Sequence, residues 1–273
     1  MKKTVPIRPF WYTDKPVLPK LVTVITTVDK EGTVNAAPFA FFMQFDVMDT
    51  KPRILLGMRK FCHTYRNIEA TGEFVINFPP YDYLDDVMEA CRFYPEGVNE
   101  LDFTQFTPIP SQKVTPPSLE ECGQIIECTV DNIYTLDKTQ GHIIGNVEAI
   151  LLDEELIDMN RPERAKALDL AITLGDEGRR FFYFGRVGDY KKIELKSDPV
   201  GEELSAEVKC TMDWEPGALK ELEAVPHFVL GMVIEMTEQI VKEEGANAVT
   251  TERFKKLIEE YAPPSVMERL PGD

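Results

Sequence analysis

The residue types best suited to chemistry fall in three short clusters. The first is GMRKFCHTYRN at 57–67. Arg59 and Lys60 bring cations, His63 follows, Thr64 is a good N-cap for a helix, and Asn67 stands at its third position. Backbone N–H groups at a helix start, a hydroxyl and nearby cations make an anion site suited to a phosphate. The same residues also read as an ordinary capped surface helix. The second cluster is Asn35-Ala36-Ala37-Pro38-Phe39-Ala40. Small side chains let a flat ring approach the backbone, and Pro38 leaves a gap in a strand's hydrogen-bond ladder. The plainer reading is a bulged strand packed by small residues. The third is Asp137–His142, where His142 begins a strand beside a glycine turn and can face a ligand.

Other chemistry is excluded or unsupported. His63, His142 and His227 lack metal-ligand spacing, so no metal site is expected. The chain carries no G-x-G-x-x-G, no G-x-x-x-x-G-K-[ST] and no G-x-S-x-G motif. Carboxylates are abundant, but none forms an evident catalytic pair, and runs such as Asp153-Glu154-Glu155 read as solvated faces.

The elements that must hold these clusters are mostly strands. Leu21–Val28 is rich in β-branched residues and ends at the turn Asp29–Gly32. Residues 33–47 read as one strand with an irregularity at Pro38. Arg53–Met58 and Phe74–Phe78 are further strands, with a helix between Thr64 and Gly72. Residues 82–92 look helical. Residues 95–118 hold five prolines and read as a long surface loop. Gln124–Tyr134 and His142–Leu152 form a hairpin or barrel pair, and 161–174 read as a helix with Pro162 at its first position. Phe181–Phe184 and Tyr190–Ile193 are short extended pieces. After about Lys196 the pattern changes. We place a domain at 1–196, a linker at 197–211 and a helical module at 212–273. From Trp214 apolar residues recur three and four apart. Pro226 starts the longer helix, Gly245 ends it, and Thr250 or Thr251 caps a last helix over 252–261.

The whole chain has 273 residues, a formal net charge of −17 and five cysteines. That surface repels nucleic-acid phosphates and anionic membranes, so neither is an expected partner. Five cysteines without a C-x-x-C pair read as reduced thiols. No window approaches a membrane span, and the N-terminus lacks the apolar core of a signal peptide. The expectation is a cytoplasmic protein.

Four stretches carry a resemblance: VTVITTVDKEGTVNAAPFAFF, KFCHTYRNIEATGEFVINF, GHIIGNVEAILL and GRVGDYKKI. In this order and spacing they resemble the flavin-reductase-like FMN-binding split-barrel family over about residues 15–195. The resemblance implies a mainly β fold, a six-stranded antiparallel split β-barrel of Greek-key character with peripheral helices. A small C-terminal α-helical module is appended. It implies a homodimer with FMN near the interface. Asn35, Ala36, Ala37, Pro38, Phe39 and Ala40 match the strand whose backbone lines the isoalloxazine. Ala36, Ala37 and Ala40 stand in a run where the family often has Ser or Thr. Lys60, Thr64 and Asn67 match a K-x-[TS]-x-x-N pattern near the phosphate, with Arg59 the adjacent alternative to Lys60. His142 matches a position near flavin or nicotinamide in reductases and is the catalytic candidate. Arg186 and Tyr190 match the segment that closes the barrel beside the cofactor.

The implied function is an FMN-dependent oxidoreductase. It is either an NAD(P)H-dependent flavin reductase or a flavoredoxin-like electron carrier whose acidic surface docks a redox protein. The alternative is a non-catalytic split barrel holding FMN or haem, with His63 or His142 as the haem ligand. Residues 214–254 are similar to the small C-terminal helical module of the light-independent protochlorophyllide reductase B subunit. That parent's catalytic machinery is not implied.

Overall fold

A computed structural model of the chain describes residues 2–4, 16–46, 51–135, 139–177, 181–188, 210–223, 225 and 227–261. The chain divides into two compact units, Met1–Lys191 and Lys192–Asp273. The first unit begins with β1 (Lys20–Leu21), β2 (Thr23–Val28), β3 (Val34–Phe39), β4 (Phe42–Asp46) and β5 (Arg53–Arg59). Helix α1 (His63–Thr71), β6 (Glu73–Asn77), α2 (Leu84–Ala90), β7 (Pro108–Ile109) and β8 (Ser118–Leu119) follow. Then come β9 (Gln124–Tyr134), β10 (Gln140–Leu152), α3 (Glu154–Ile157), α4 (Arg161–Leu168), β11 (Ala171–Glu177) and β12 (Phe181–Arg186).

Seven of these strands form one antiparallel sheet in the order β3-β2-β6-β9-β10-β5-β4. Its two outermost strands are neighbours in the chain, joined through Ala40 and Phe41. Three residue steps span at most about 11 Å. Seven strands laid flat would separate the outer pair by about 29 Å. The sheet therefore curls until its edges approach. The ladder stays open between β3 and β4. Counting them as halves of one bent strand gives six strands, the expected architecture. The single strand expected over 33–47 is thus two, each paired at a different end of the sheet.

Alternation along the strands sends side chains to two cores. Ile25, Leu56, Phe74, Ile76, Cys128 and Ile143 fill one, which α1 covers with Tyr65 and Ile68. Val24, Val75 and Ile125 face the other way, against Val87, Leu101, Phe106 and Val114. Segment 95–118 is therefore a cover for one sheet face and not the surface loop expected. It carries a 3-10 turn at Glu100–Phe103 and the β7–β8 pair. Carboxylates fasten it: Glu127 accepts the N–H groups of Gln112 and Lys113, Asp86 that of Gln105, Glu121 that of Thr107, and Glu73 that of Thr115.

Two helices differ from expectation. α1 is capped at Cys62, without a side-chain bond, so Thr64 is its second residue and not its N-cap. Thr64 is drawn inward by a buried hydrogen bond and cannot serve the helix start. Gly72 closes α1 in the left-handed region, φ 75°. α4 starts from Asn160 in a capping box with Glu163, which puts Pro162 second, and it stops at Leu168. Asp169 takes φ 45°, and the β-branched Ile172 and Thr173 continue as β11, paired with β12 and β1. Residues 190–193 lie outside the described residues.

The second unit contains β13 (Asp213–Trp214), α5 (Pro216–Leu222), α6 (His227–Glu243), β14 (Ala248–Val249) and α7 (Thr251–Tyr261). Trp214 belongs to a strand parallel to β14, not to a helix. It packs edge to face on Phe254 at 5.1 Å, over Ala218, Leu222, Ile234 and Val241. Its indole N–H donates to the buried Glu238 carboxylate at 3.1 Å, which also accepts the N–H groups of Thr211 and Met212. Gly245, φ 77°, ends α6, and the Thr250 hydroxyl accepts from Arg253 N–H to cap α7. Pro226 and residues 197–209 of the expected linker lie outside the described residues. Among those described, no helix is long and apolar enough to cross a membrane.

Candidate functional site

The turn after β2 sets the register of the site. Asp29 accepts the N–H groups of Glu31 and Thr33 at 3.0 and 2.7 Å, and Gly32 adopts φ 88°. Counting outward from this turn sets Thr27 opposite Asn35. The Asn35 amide is buried, and its Nδ2 donates to Thr27 Oγ1 at 3.2 Å and to Thr64 Oγ1 at 3.0 Å. Asn67 Nδ2 donates to the same Thr27 oxygen at 3.2 Å. Two residues from the expected clusters, Asn35 and Asn67, thus converge on one hydroxyl that sequence reading had not singled out, and Asn35 links it to a third, Thr64. The bonds tie β2, β3 and α1 into one unit.

Beside this network lies a cleft at the N-terminus of α1, lined by Asn35, His63, Arg66 and Asn67 together with Asp29 and Glu96. The start of α1 has no side-chain cap; the Cys62 thiol donates instead to the Arg59 carbonyl at 3.0 Å. Burial pushes that thiol's pKa up, against the pull of the Tyr65 N–H and of Arg66 and Arg59. First-turn N–H groups carry the positive end of the helix dipole. Arg66 adds a guanidinium, anchored through Nη2 to the Phe61 carbonyl at 2.8 Å. The cation that lines the cleft is therefore Arg66, beside the His63 imidazole. Arg59 and Lys60 do not line it. Arg59 lies 5.7 Å from the Phe61 ring centroid, and the Lys60 N–H donates to Thr139.

The β3 segment runs past the same cleft. Ala36 N–H donates to the buried Glu100 carboxylate at 2.8 Å. Burial raises the Glu100 pKa, while the N–H groups of Ala36 and of Glu100 itself and the nearby His63 lower it. Pro38 has no N–H. Ala37, Pro38, Phe39 and Ala40 are half-buried, and the Phe39 carbonyl accepts from Thr23 Oγ1 at 2.7 Å.

The remaining expected residues are held elsewhere. His142 stands on β10 opposite Gly57, and its Nδ1 is buried without a hydrogen-bond partner. Arg186 donates to Asp82 at 2.7 Å, pairs with Asp169 at 2.9 Å and stacks over Tyr81 at 4.4 Å. The structure does not bring it to the Asn35–Thr64 network. Tyr190 lies outside the described residues. Among those described, no cluster of His, Cys, Asp and Glu has metal-binding geometry.

The model of the flavin reductase like domain matches residues 16–167, more than half of the chain. The chain belongs to that family. An uncharacterized protein of Methanothermobacter thermautotrophicus is 33% identical to this flavin reductase-like chain over 187 residues, 65% of the chain and 84% of that protein. Among solved structures, nitrilotriacetate monooxygenase component B from Bacillus cereus aligns with TM-score 0.60 and 23% identity. It covers 71% of this chain and 100% of its own. Flavoredoxin of Desulfovibrio vulgaris aligns with TM-score 0.58 and 21% identity, covering 72% and 99%. These likenesses establish the fold. The C-terminal similarity is partial. The B subunit of light-independent protochlorophyllide reductase from Synechococcus elongatus is 35% identical over 82 residues, 30% of this chain but 14% of that protein.

The donor set of the flavin reductase-like domain suits a flavin phosphate. Uncapped helix N–H groups, an amide and a guanidinium are the groups that hold a phosphate monoester. The open edge of β3 offers small, half-buried residues to a planar ring.

Proposed function

We propose that the chain binds FMN as a homodimer and acts as an FMN-dependent oxidoreductase reduced by NAD(P)H. The observation that carries this reading is the hydrogen-bond network beside the uncapped start of α1, in which Asn35 and Asn67 both donate to Thr27 and Asn35 also donates to Thr64. FMN, when bound, supplies hydride and electron transfer. The chain's own residues bind and orient. Arg66, Asn67 and the α1 N–H groups hold the phosphate, and the Asn35 amide locks β3 against α1. Residues Ala37–Ala40 give the ring a low wall. His142, with an unpartnered Nδ1, keeps hydrogen-bonding capacity for a ligand edge. Exposed Met43 and Phe45 on β4, with Phe41 just before it, support a second copy packed on that face. Five free thiols support a cytoplasmic setting. We assign residues 212–273 the role of an appended module.

Absorption of the purified protein and FMN titration test the cofactor. Anaerobic stopped-flow mixing with NADH and NADPH tests the donor. Rapid bleaching of bound flavin is expected; a protein that neither carries nor binds FMN overturns the reading. A flavoredoxin-like carrier is the second reading, favoured by the acidic surface, and it would bind FMN without reduction by either nucleotide.

A further inference from the structure

We propose that Glu96 is a built-in competitor for the flavin phosphate and that the Arg66–Glu96 pair sets the preference for FMN over riboflavin. This rests on the FMN reading above. Two carboxylates, Asp29 and Glu96, line the cleft, and a third, Glu100, is buried near its His63; Asp29 and Glu100 are committed to backbone. Asp29 accepts Glu31 and Thr33 N–H, and these bonds hold its pKa low. Glu100 accepts Ala36 N–H. Glu96 is held by a cation, its Oε2 lying 3.7 Å from Arg66 Nη1. The other terminal nitrogen of that guanidinium, Nη2, donates to the Phe61 carbonyl, which anchors Arg66 beside the cleft.

The energetics make the pair exchangeable. The two side chains are 49% and 80% exposed, and solvent screens such a pair, so it is weak. A phosphate ester offers Arg66 a bidentate partner, which is the stronger contact. Glu96 rides on the tight turn Pro95–Val98, where Gly97 adopts φ 82°, and can swing into solvent without disturbing the core. Displacing Glu96 costs FMN part of its binding energy. Riboflavin, lacking the phosphate, does not disturb the pair.

The test is calorimetric titration of the full chain with FMN and with riboflavin, wild type against Glu96→Gln, at low and moderate salt. Glu96→Gln is expected to tighten FMN about three- to fivefold. It leaves riboflavin unchanged, and the gain shrinks as salt screens the cleft. The control Glu120→Gln, an exposed carboxylate on another element, changes neither ligand. A wild type that prefers FMN but does not respond to Glu96→Gln overturns the competitor role and leaves the FMN site standing. So does equal tightening of both flavins, or the same response to Glu120→Gln. Equal wild-type affinity for FMN and riboflavin, or no flavin binding, overturns both.

Discussion

Thr27 Oγ1 accepts two amides, so both of its lone pairs are used, and Asn35 spends both Nδ2 hydrogens on Thr27 and Thr64. Thr64→Ala leaves a buried amide hydrogen without an acceptor, at a cost of about 1–3 kcal/mol. Urea denaturation should show that loss and FMN titration a weaker site. Thr64→Ser, which keeps the hydroxyl, should restore both. The loss comes from a buried bond and not from a helix cap, because Cys62 occupies the cap position. Glu100 gives a prediction of opposite sign. Burial raises its folded pKa, so ionisation disfavours the folded state once pH exceeds the unfolded carboxyl value. Glu100→Gln keeps an oxygen for Ala36 N–H and removes the buried charge. It should stabilise the protein at pH 7, with the gain fading as pH falls through the raised folded value and gone below the unfolded one. Equal unfolding midpoints at pH 7 would contradict this.

At the scale of elements, two glycines of β10 seat the neighbours that define the barrel interior. A Cβ at Gly141 would meet Tyr65 Cε2 at 2.2 Å, and one at Gly145 would meet Phe74 Cζ at 2.6 Å. Gly141→Ala should therefore lift α1 from the sheet and cost about 1–3 kcal/mol, read as a lower thermal midpoint. The strands were legible from the chain because β-branched residues cluster in them and turn residues bound them; the Asp29 turn even sets Thr27 opposite Asn35. The start of α1 was misread because Thr64 has the ideal chemistry for a cap and a buried partner, Asn35, 29 residues away. The cover segment was misread because its order comes from Glu73, Asp86, Glu121 and Glu127 on other elements, and its five prolines hide buried Leu101, Phe106 and Val114. Arg66 is not singled out by the sequence, which points to Arg59 and Lys60 as the cations, and only its place on α1 shows that it lines the cleft.

At the scale of the molecule, an excess of acid is part of how the first unit holds together. Glu127 is fully buried and accepts two backbone N–H groups from the cover segment. Glu127→Ala should speed hydrogen exchange at Gln112 and Lys113 far more than at the β2–β6 ladder. Uniform protection would show that the cover is held by its apolar contacts alone. Removal of residues 210–273 should leave FMN affinity largely intact; loss of binding would make the second unit part of the site. The joint at Ala40–Phe41 has a mechanical meaning. It is a clasp between the two rims of a rolled sheet. A nick in the chain there would leave every ladder bond in place and remove the link that draws the rims together. The seam opposite the core would then be free to unroll, exposing two unpaired strand edges at once.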